Sequence, residues 1–274
     1  MKKLFFIFLL FGSSLIYSQD KKVDKILEEG KLLYRLEKGS WYGTDDMMLR
    51  FTTKKDSIGG YLSYKTEDEK INTIFFSRFD PDVVLIRYQF DSVPKPRPLS
   101  IDTLIHTPSD LEKSLIAIRQ DARKRYLENE DDFFAFYEHT APNFIPIIDK
   151  NKKEVFVLTG PQYSGMVLLG NDYKLKYNKK NKFKTKSKIH NTILQFPYKS
   201  EEEENEIETT YHSHILSDYI SSTDICTLLL YRDFVEWNRH IVMSEKKVSI
   251  FNLEKETLFT MKRKVWEKMV NDKK

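Results

Sequence analysis

Short runs of β-branched and aromatic residues recur along the chain and limit the folds that it can adopt. Three of them, GGYLSYK, INTIFFSRF and DVVLIRYQF, follow one another between residues 59 and 90 and are separated by charged turns. Residues of these types favour strands, and short turns between strands favour antiparallel pairing. We therefore predict a small antiparallel sheet in this part of the chain.

A second series of strand-like runs begins at residue 143 and continues to the C-terminal region. These runs are NFIPII, EVFVLTG, SGMVLLG, YKLKYN, TILQFPY, EIETTYHSH, HIVMS, KVSIFNL and TLFTMKR. The NKKN sequence at 178–181 has the composition of a hairpin turn between two of them. No internal repeat is evident, so the strands are not expected to form a repeat architecture.

Three segments have the apolar spacing of helices. The first covers 22–38 and is expected to end at Gly39, since glycine favours helix C-termini. The second begins at a capping box of Ser109 and Glu112 and is expected to run to about Leu127. The third covers about 222–237. Together these segments predict an α+β fold: a mixed sheet flanked by helices, preceded by a small N-terminal region of one helix and an antiparallel sheet.

The first residues have the pattern of a secretory signal peptide. Lys2 and Lys3 precede an apolar run, and the small residue Ser18 follows it. A single membrane anchor is the alternative, but the run is shorter than the roughly 20 residues that a span needs. We therefore expect residues 1–18 to be removed, no stable membrane span to remain, and the protein to be exported, either to the periplasm or out of the cell.

Charge and cysteine content exclude several kinds of site. The formal net charge is only +4. The basic run at 179–188 and the acidic run at 201–206 are short, and we interpret them as solvated loops or hairpin faces rather than a nucleic-acid-binding patch. The single cysteine, Cys226, lies in an apolar helical run, so an internal disulfide and a cysteine-rich zinc site are both excluded. A bound metal would need histidine or carboxylate ligands.

The segment TTYHSHILSDYISSTD, at 209–224, contains the strongest functional signal. Alternate residues of a strand share a face, so His212 and His214 could reach one metal ion. Ser221 and Asp224 have the spacing of a helix N-cap and the third helical residue, although this is also an ordinary capping device. Two imidazoles and one carboxylate are a common zinc ligand set that leaves a fourth position for water.

This segment, YHSH…SSTDICTLLLY, resembles the core of the JAMM (JAB/MPN) metalloproteases, whose signature is His-x-His, about seven residues, and Ser-x-x-Asp. The resemblance implies a Zn²⁺ ion bound by His212, His214 and Asp224. It also implies that Ser221 helps to stabilise the tetrahedral intermediate of amide hydrolysis.

The resemblance also suggests how the chain is divided. It covers roughly residues 109–260 and implies a JAB/MPN-like arrangement there. Three prolines in VPKPRPLS, at 93–100, exclude a helix or central strand and make this segment a candidate linker. We therefore predict a signal peptide at 1–18, an N-terminal α+β region of unknown role at 19–108 and a JAMM-like domain at 109–274.

Two departures from the family pattern bear on catalysis. The loop between the second histidine and the serine has six residues, one fewer than usual. The family also has a glutamate general base three positions before a glycine, and here Gln162 holds that position before Gly165. An amide cannot accept a proton as a carboxylate does. Glu154 and His190 are candidate replacements, although a single histidine of this kind is more often structural.

Three functions remain open. The first is an exported zinc-dependent peptidase or amidase in which metal-activated water attacks an amide or isopeptide bond. The second is a catalytically inactive JAMM-like module that binds a peptide or protein partner. The third is an exported structural protein in which the histidine pair has no role. Trp41 and Tyr42, beside an expected turn, are interpreted as the lid of a small core rather than a ligand platform.

Overall fold

The computed structural model describes residues 20–150, 152–198 and 208–272. The predicted signal peptide and the acidic run at 201–206 lie outside these residues. No helix in the described part of the chain is both long enough and apolar enough to cross a membrane. The helices are α1 (Lys21–Arg50), α2 (Asp110–Glu128), α3 (Ser222–Tyr231) and α4 (Arg263–Asn271), with a 3₁₀ helix at Thr52–Ser57.

The strands of the described residues form four sheets, which together with the helices give a mixed α+β fold. In chain order the strands are β1 (Ile58–Lys65), β2 (Ile71–Ser77), β3 (Val84–Phe90), β4 (Ser100–Asp102), β5 (Thr140–Asp149), β6 (Lys152–Pro161), β7 (Met166–Gly170), β8 (Tyr173–Tyr177), β9 (Phe183–Lys188), β10 (Ile193–Pro197), β11 (Thr209–Ser213), β12 (Arg239–Met243), β13 (Lys247–Asn252) and β14 (Thr257–Lys262).

The sheets have the orders β1-β2-β3-β4, β5-β6-β8-β9, β7-β10 and β11-β12-β13-β14. Pairing is antiparallel except between β11 and β12, which run parallel. The predicted N-terminal antiparallel sheet is confirmed. The predicted turn at 178–181 is also confirmed, because the Asn178 N–H donates to the Lys182 carbonyl at 2.9 Å and closes the hairpin of β8 and β9.

The proline-rich segment at 93–100 is not a linker between domains. It connects β3 to β4, which are neighbours in the first sheet. The prolines lie between the two strands rather than inside them, where a missing N–H costs no ladder hydrogen bond. One hydrophobic core also contains residues from both sides of position 108, among them Leu33, Phe75, Phe156 and Ile225. The division at 108/109 remains a prediction.

Helix α1 is longer than predicted, because Gly39 does not end it. The helix continues through Gly39 to Arg50. A Cβ atom at Gly39 would lie 2.9 Å from Ile71 Cγ2 and 3.1 Å from Thr73 Oγ1, so this glycine lets the helix approach β2 closely. Trp41 and its neighbour Tyr42 therefore lie within the helix rather than beside a turn, and both pack against the main core.

The other helices partly follow the prediction. Capping boxes at Ser109 and Ser221 begin α2 and α3 as expected. Helix α3 ends at Tyr231 rather than near residue 237, because the Phe234 N–H donates to the Tyr231 carbonyl and the chain turns towards β12. Cys226 is fully buried in α3, as expected. The C-terminal helix α4 was not predicted.

Helix α1 packs directly against α3, and Gly30 lies at the contact. A Cβ atom at Gly30 would be 2.7 Å from Ile225 Cβ and 3.0 Å from the Ser222 carbonyl oxygen. A real Cβ atom cannot occupy that space unless the two helices separate. The first turns of α3 are therefore held in place by the surface of α1.

We expect Gly30→Ala to lower the free energy of unfolding by about 1–2 kcal/mol. Overpacking costs about 1–3 kcal/mol, and the better helix propensity of alanine returns up to about 1 kcal/mol. Urea denaturation measures the change. Lys25→Ala, on the exposed side of the same helix, is the control and should be nearly neutral. A Gly30→Ala variant as stable as the parent would contradict the close helix contact.

Candidate metal centre

His212 and His214 lie at the end of β11 and are both buried, although their neighbour Tyr211 is exposed. Strand geometry places the two histidines on the same face, and their ring centroids are 4.7 Å apart. The His214 N–H donates to the Met243 carbonyl at 2.8 Å, which continues the pairing with β12 one residue beyond the strand. The parallel pairing therefore fixes the backbone of both histidines.

Asp224 projects from the first turn of α3 and is completely buried. Its N–H donates to Ser221 Oγ at 2.9 Å, and the Ser221 N–H donates to Asp224 Oδ2 at 3.0 Å. The cap therefore positions the carboxylate while leaving Oδ1 for other partners. Ser221 Oγ is engaged as the helix cap and also lies 3.3 Å from His190 Nε2.

His190 reaches the same place from the connection between β9 and β10. The Ile189 N–H donates to the Asp172 carbonyl at 2.8 Å. Gly170 has a φ of +105°, and a Cβ atom there would lie 2.2 Å from the Thr192 carbonyl oxygen. Only glycine permits this approach. The connection is thus held against the end of β7, and His190 is buried.

The three imidazoles surround the Asp224 carboxylate. His190 Nε2 lies 3.1 Å from Oδ1, and His214 Nε2 lies 3.1 Å from Oδ2. His212 Nε2 is farther away, at 3.8 Å from Oδ2. Four groups from three separate parts of the chain therefore meet at one buried point.

The opposite ring nitrogen of two histidines is fixed by a hydrogen bond. His214 Nδ1 bonds the Tyr219 carbonyl oxygen at 2.8 Å. His212 Nδ1 lies 2.6 Å from His240 Nε2. The other ring nitrogen of His240, Nδ1, lies 2.7 Å from the hydroxyl oxygen of Thr210. Such partners orient an imidazole and set its tautomer. Here they direct both Nε2 atoms towards Asp224.

His190 is held by a second buried carboxylate. Its Nδ1 lies 3.3 Å from Asp172 Oδ2, at ion-pair distance. Asp172 Oδ1 accepts a hydrogen bond from the Thr159 N–H at 3.0 Å, so the carboxylate is fixed by β6. No sequence pattern predicted a role for Asp172 or His240. Neither belongs to a recognisable spacing, since each meets its histidine only through the packing of distant strands.

The protonation states in the cluster are set by burial and by mutual charge. Burial would raise the pKa of Asp224, but the three histidines, His190 first, hold that pKa well below its usual range. Burial also opposes protonation of His190, yet the Asp224 and Asp172 carboxylates raise its pKa to about 10. Burial lowers the pKa of His212 to about 4 and that of His240 to about 3. His212 is therefore neutral at pH 7.

The cluster has the donor set of a metal site. His190, His214 and Asp224 each offer a ligand atom, and these atoms lie within 4.8 Å of one another. Nε2 of His214 and Oδ1 of Asp224 are buried, and each lies at ion-pair distance, 3.1 Å, from another group of the cluster. Among the cluster atoms, His212 Nε2 is buried without a hydrogen-bond partner in the described residues and lies farther from the carboxylate. The buried triad could hold a metal ion in place of these contacts, once His190 has lost the proton that its raised pKa retains.

Neither acid-base position expected from the family pattern lies at the cluster. Gln162 is exposed, and its Nε2 donates to the Thr140 carbonyl at 3.2 Å. Glu154 on β6 lies 3.9 Å from the ammonium groups of Lys174 and Lys176. The spacing of these residues to a following glycine in the sequence therefore did not predict where their side chains lie in the fold. His190, the less favoured candidate, is the one that lies in the cluster.

A cleft of about 100 Å³ opens beside the cluster and connects it to the surface. Residues from the β9–β10 connection form one wall, and the residues that follow β11 form the other. The lining includes His190, Thr192, Leu194, His212, His214 and Leu216. The cleft gives a ligand access to two of the three candidate metal ligands.

Comparison of the chain with protein-family models, with curated proteins and with solved structures finds no match in any of the three.

Ser221 and Ser109 each cap a helix through a capping box of the same type, so each can serve as a control for the other. We expect Ser221→Ala and Ser109→Ala each to lower the free energy of unfolding by about 1 kcal/mol, because each helix loses its cap. Urea denaturation with chelator present measures both. Only Ser221→Ala should also weaken metal binding, since its cap positions Asp224. Equal metal affinity in the two variants would show that the Ser221 cap does not position Asp224 for metal binding.

Proposed function

We propose that the protein is an exported zinc-dependent peptidase or amidase in which His190, His214 and Asp224 hold the ion. The observation that supports this most is the convergence of these three buried residues, whose ligand atoms lie within 4.8 Å of one another beside an open cleft. The signal-peptide pattern of residues 1–18 supports export.

Zinc is the ion that this donor set suits best. Imidazole nitrogens and a carboxylate oxygen are typical zinc ligands, whereas magnesium and calcium prefer oxygen ligands alone. When bound, zinc polarises a carbonyl group and lowers the pKa of water. A three-residue ligand set leaves one position open, which is the arrangement of catalytic rather than structural sites.

In this proposal His212 handles the proton. Its Nδ1 is engaged by His240 at 2.6 Å. When that Nδ1 carries the ring proton, Nε2 keeps a lone pair that faces the cluster. Burial lowers the pKa of this imidazole to about 4 and the Asp224 carboxylate opposes that shift, so the ring is a neutral but weak base that accepts a proton and later returns it to a leaving amine. His212 thus takes the role that a glutamate has in the resembling family, while Asp172 and His240 act as positioning residues.

An extended peptide is the substrate that the surroundings favour. β11 is the outermost strand of its sheet, and no described strand pairs with its outer edge. Ile215 and Leu216, which follow the histidine pair and line the cleft, are exposed. A peptide could add to such an edge through main-chain hydrogen bonds and place apolar side chains against these two residues.

The second candidate is a metal-containing module that binds a peptide without cleaving it. Its support is the fourth donor, because His212 Nε2 lies only 3.8 Å from Asp224 Oδ2. If His212 also binds the ion, four protein ligands fill a tetrahedral site and no position remains for water.

Single histidine variants distinguish the two candidates. The zinc-loaded chain and its variants are incubated with a mixed peptide library, and cleavage is followed by mass spectrometry beside zinc content. We expect His214→Ala to lose both zinc and cleavage. We expect His212→Ala to keep zinc but cleave at least about 100-fold more slowly, as for loss of a general base.

His139→Ala is the matched control, because His139 is exposed and does not line the cleft. It should retain zinc and activity. A parent chain that holds zinc but cleaves no peptide, combined with loss of zinc in His212→Ala, would contradict the hydrolase and favour the binding module.

A further inference from the structure

Arg119 is a buried cation on α2, away from the metal centre. The residue is 8% exposed. Its guanidinium lies 5.4 Å from the ring centroid of Tyr61, 6.0 Å from that of Phe76 and 5.9 Å from that of Phe144. Aromatic faces attract a cation, but they do not satisfy its five N–H donors.

Within the described residues, Arg119 forms no ion pair, and its Nε has no hydrogen-bond partner. The acid that affects its charge is Glu37, which lies beyond ion-pair distance. Burial raises the pKa of Glu37 to about 7, despite the opposing charge of Arg119, so this carboxyl is only partly ionised at neutral pH. A buried charge without a full partner is costly. The aromatic rings and Glu37 favour the charge of Arg119 only in part, and no described residue forms an ion pair with it.

The β1 strand is shaped to make room for this guanidinium. A Cβ atom at Gly60 would lie 3.1 Å from Arg119 Nη1 and 2.6 Å from Phe76 Cζ. Any larger residue at Gly60 would press on the arginine and its aromatic neighbour. The glycine therefore preserves the place of an unpaired cation.

Arg119 also lines an open pocket of about 350 Å³ that contains other basic groups. Arg123 is exposed, forms no ion pair within the described residues and repels the Arg119 charge. The ammonium nitrogen of Lys124 lies 3.6 Å from Oε1 of Glu128. Glu128 is the only acidic residue among the described residues that line the pocket. Two arginines, one lysine and one glutamate give the pocket a net charge of +2, with one arginine fixed at its wall.

We infer that this pocket binds a phosphoryl group, either as free phosphate or as a phosphate monoester of a larger molecule. Arginine guanidinium groups bind phosphate oxygens through paired N–H donors. A dianionic group matches the net charge of the pocket and supplies the partner that Arg119 lacks. Gln120, which also lines the pocket, adds an amide donor. This inference is independent of the proposed hydrolase.

The test is calorimetric titration of the full chain with inorganic phosphate and, separately, with glycerol phosphate at constant ionic strength. We expect saturable binding in the millimolar range, typical of a single charged group. Tighter binding of glycerol phosphate would indicate an esterified ligand, and tighter binding of inorganic phosphate would indicate the free ion. We expect Arg119→Met to abolish binding of both.

Arg123→Gln keeps the test decisive if Arg119→Met does not fold, because Arg123 is exposed. It should weaken binding about fivefold, as for loss of an exposed charge contact. Lys113→Gln is the matched control: it lies on the same helix and removes the same charge, but it does not line the pocket. Absence of saturable binding by the parent chain, or equal weakening by Lys113→Gln and Arg123→Gln, would overturn the inference.

Discussion

A fully buried carboxylate, that of Asp224, is the group around which the rest of the site is arranged. An isolated buried charge is strongly unfavourable, so the fold must bring compensating groups to it. The helix cap supplies one N–H, and three imidazoles supply the remaining surroundings. Those imidazoles come from β11, from the residue after it and from the β9–β10 connection. Packing of all these elements is therefore tied to one side chain.

The long helix α1 supports this arrangement by packing against α3. It contacts α3 where Gly30 meets Ile225 and contacts β2 where Gly39 meets Ile71. A further link joins its N-terminus to the cluster: Asp20, the N-cap of α1, accepts a hydrogen bond at 2.7 Å from the hydroxyl of Tyr219, whose carbonyl holds His214. The N-terminal region thus contributes to the position of a candidate metal ligand.

Local patterns predicted the parts of the site that are local in sequence. Residue alternation placed His212 and His214 on one face, and capping chemistry placed Asp224 in the first turn of α3. From the sequence, His190 was only a less favoured candidate base, because its position depends on a close backbone contact at Gly170. Likewise, glycine propensity suggested a helix end at Gly39, whereas packing against the sheet requires glycine there. Contacts between distant segments have no spacing that a sequence pattern can reveal.

The central claim is that the histidine cluster holds a metal ion, and metal content tests it most directly. The chain is purified without a histidine tag and its zinc is quantified by mass spectrometry, beside a His212→Ala/His214→Ala double variant. We expect about one zinc per chain in the parent, as for a single mononuclear site, and none in the variant. No metal in either protein after zinc is supplied would contradict it.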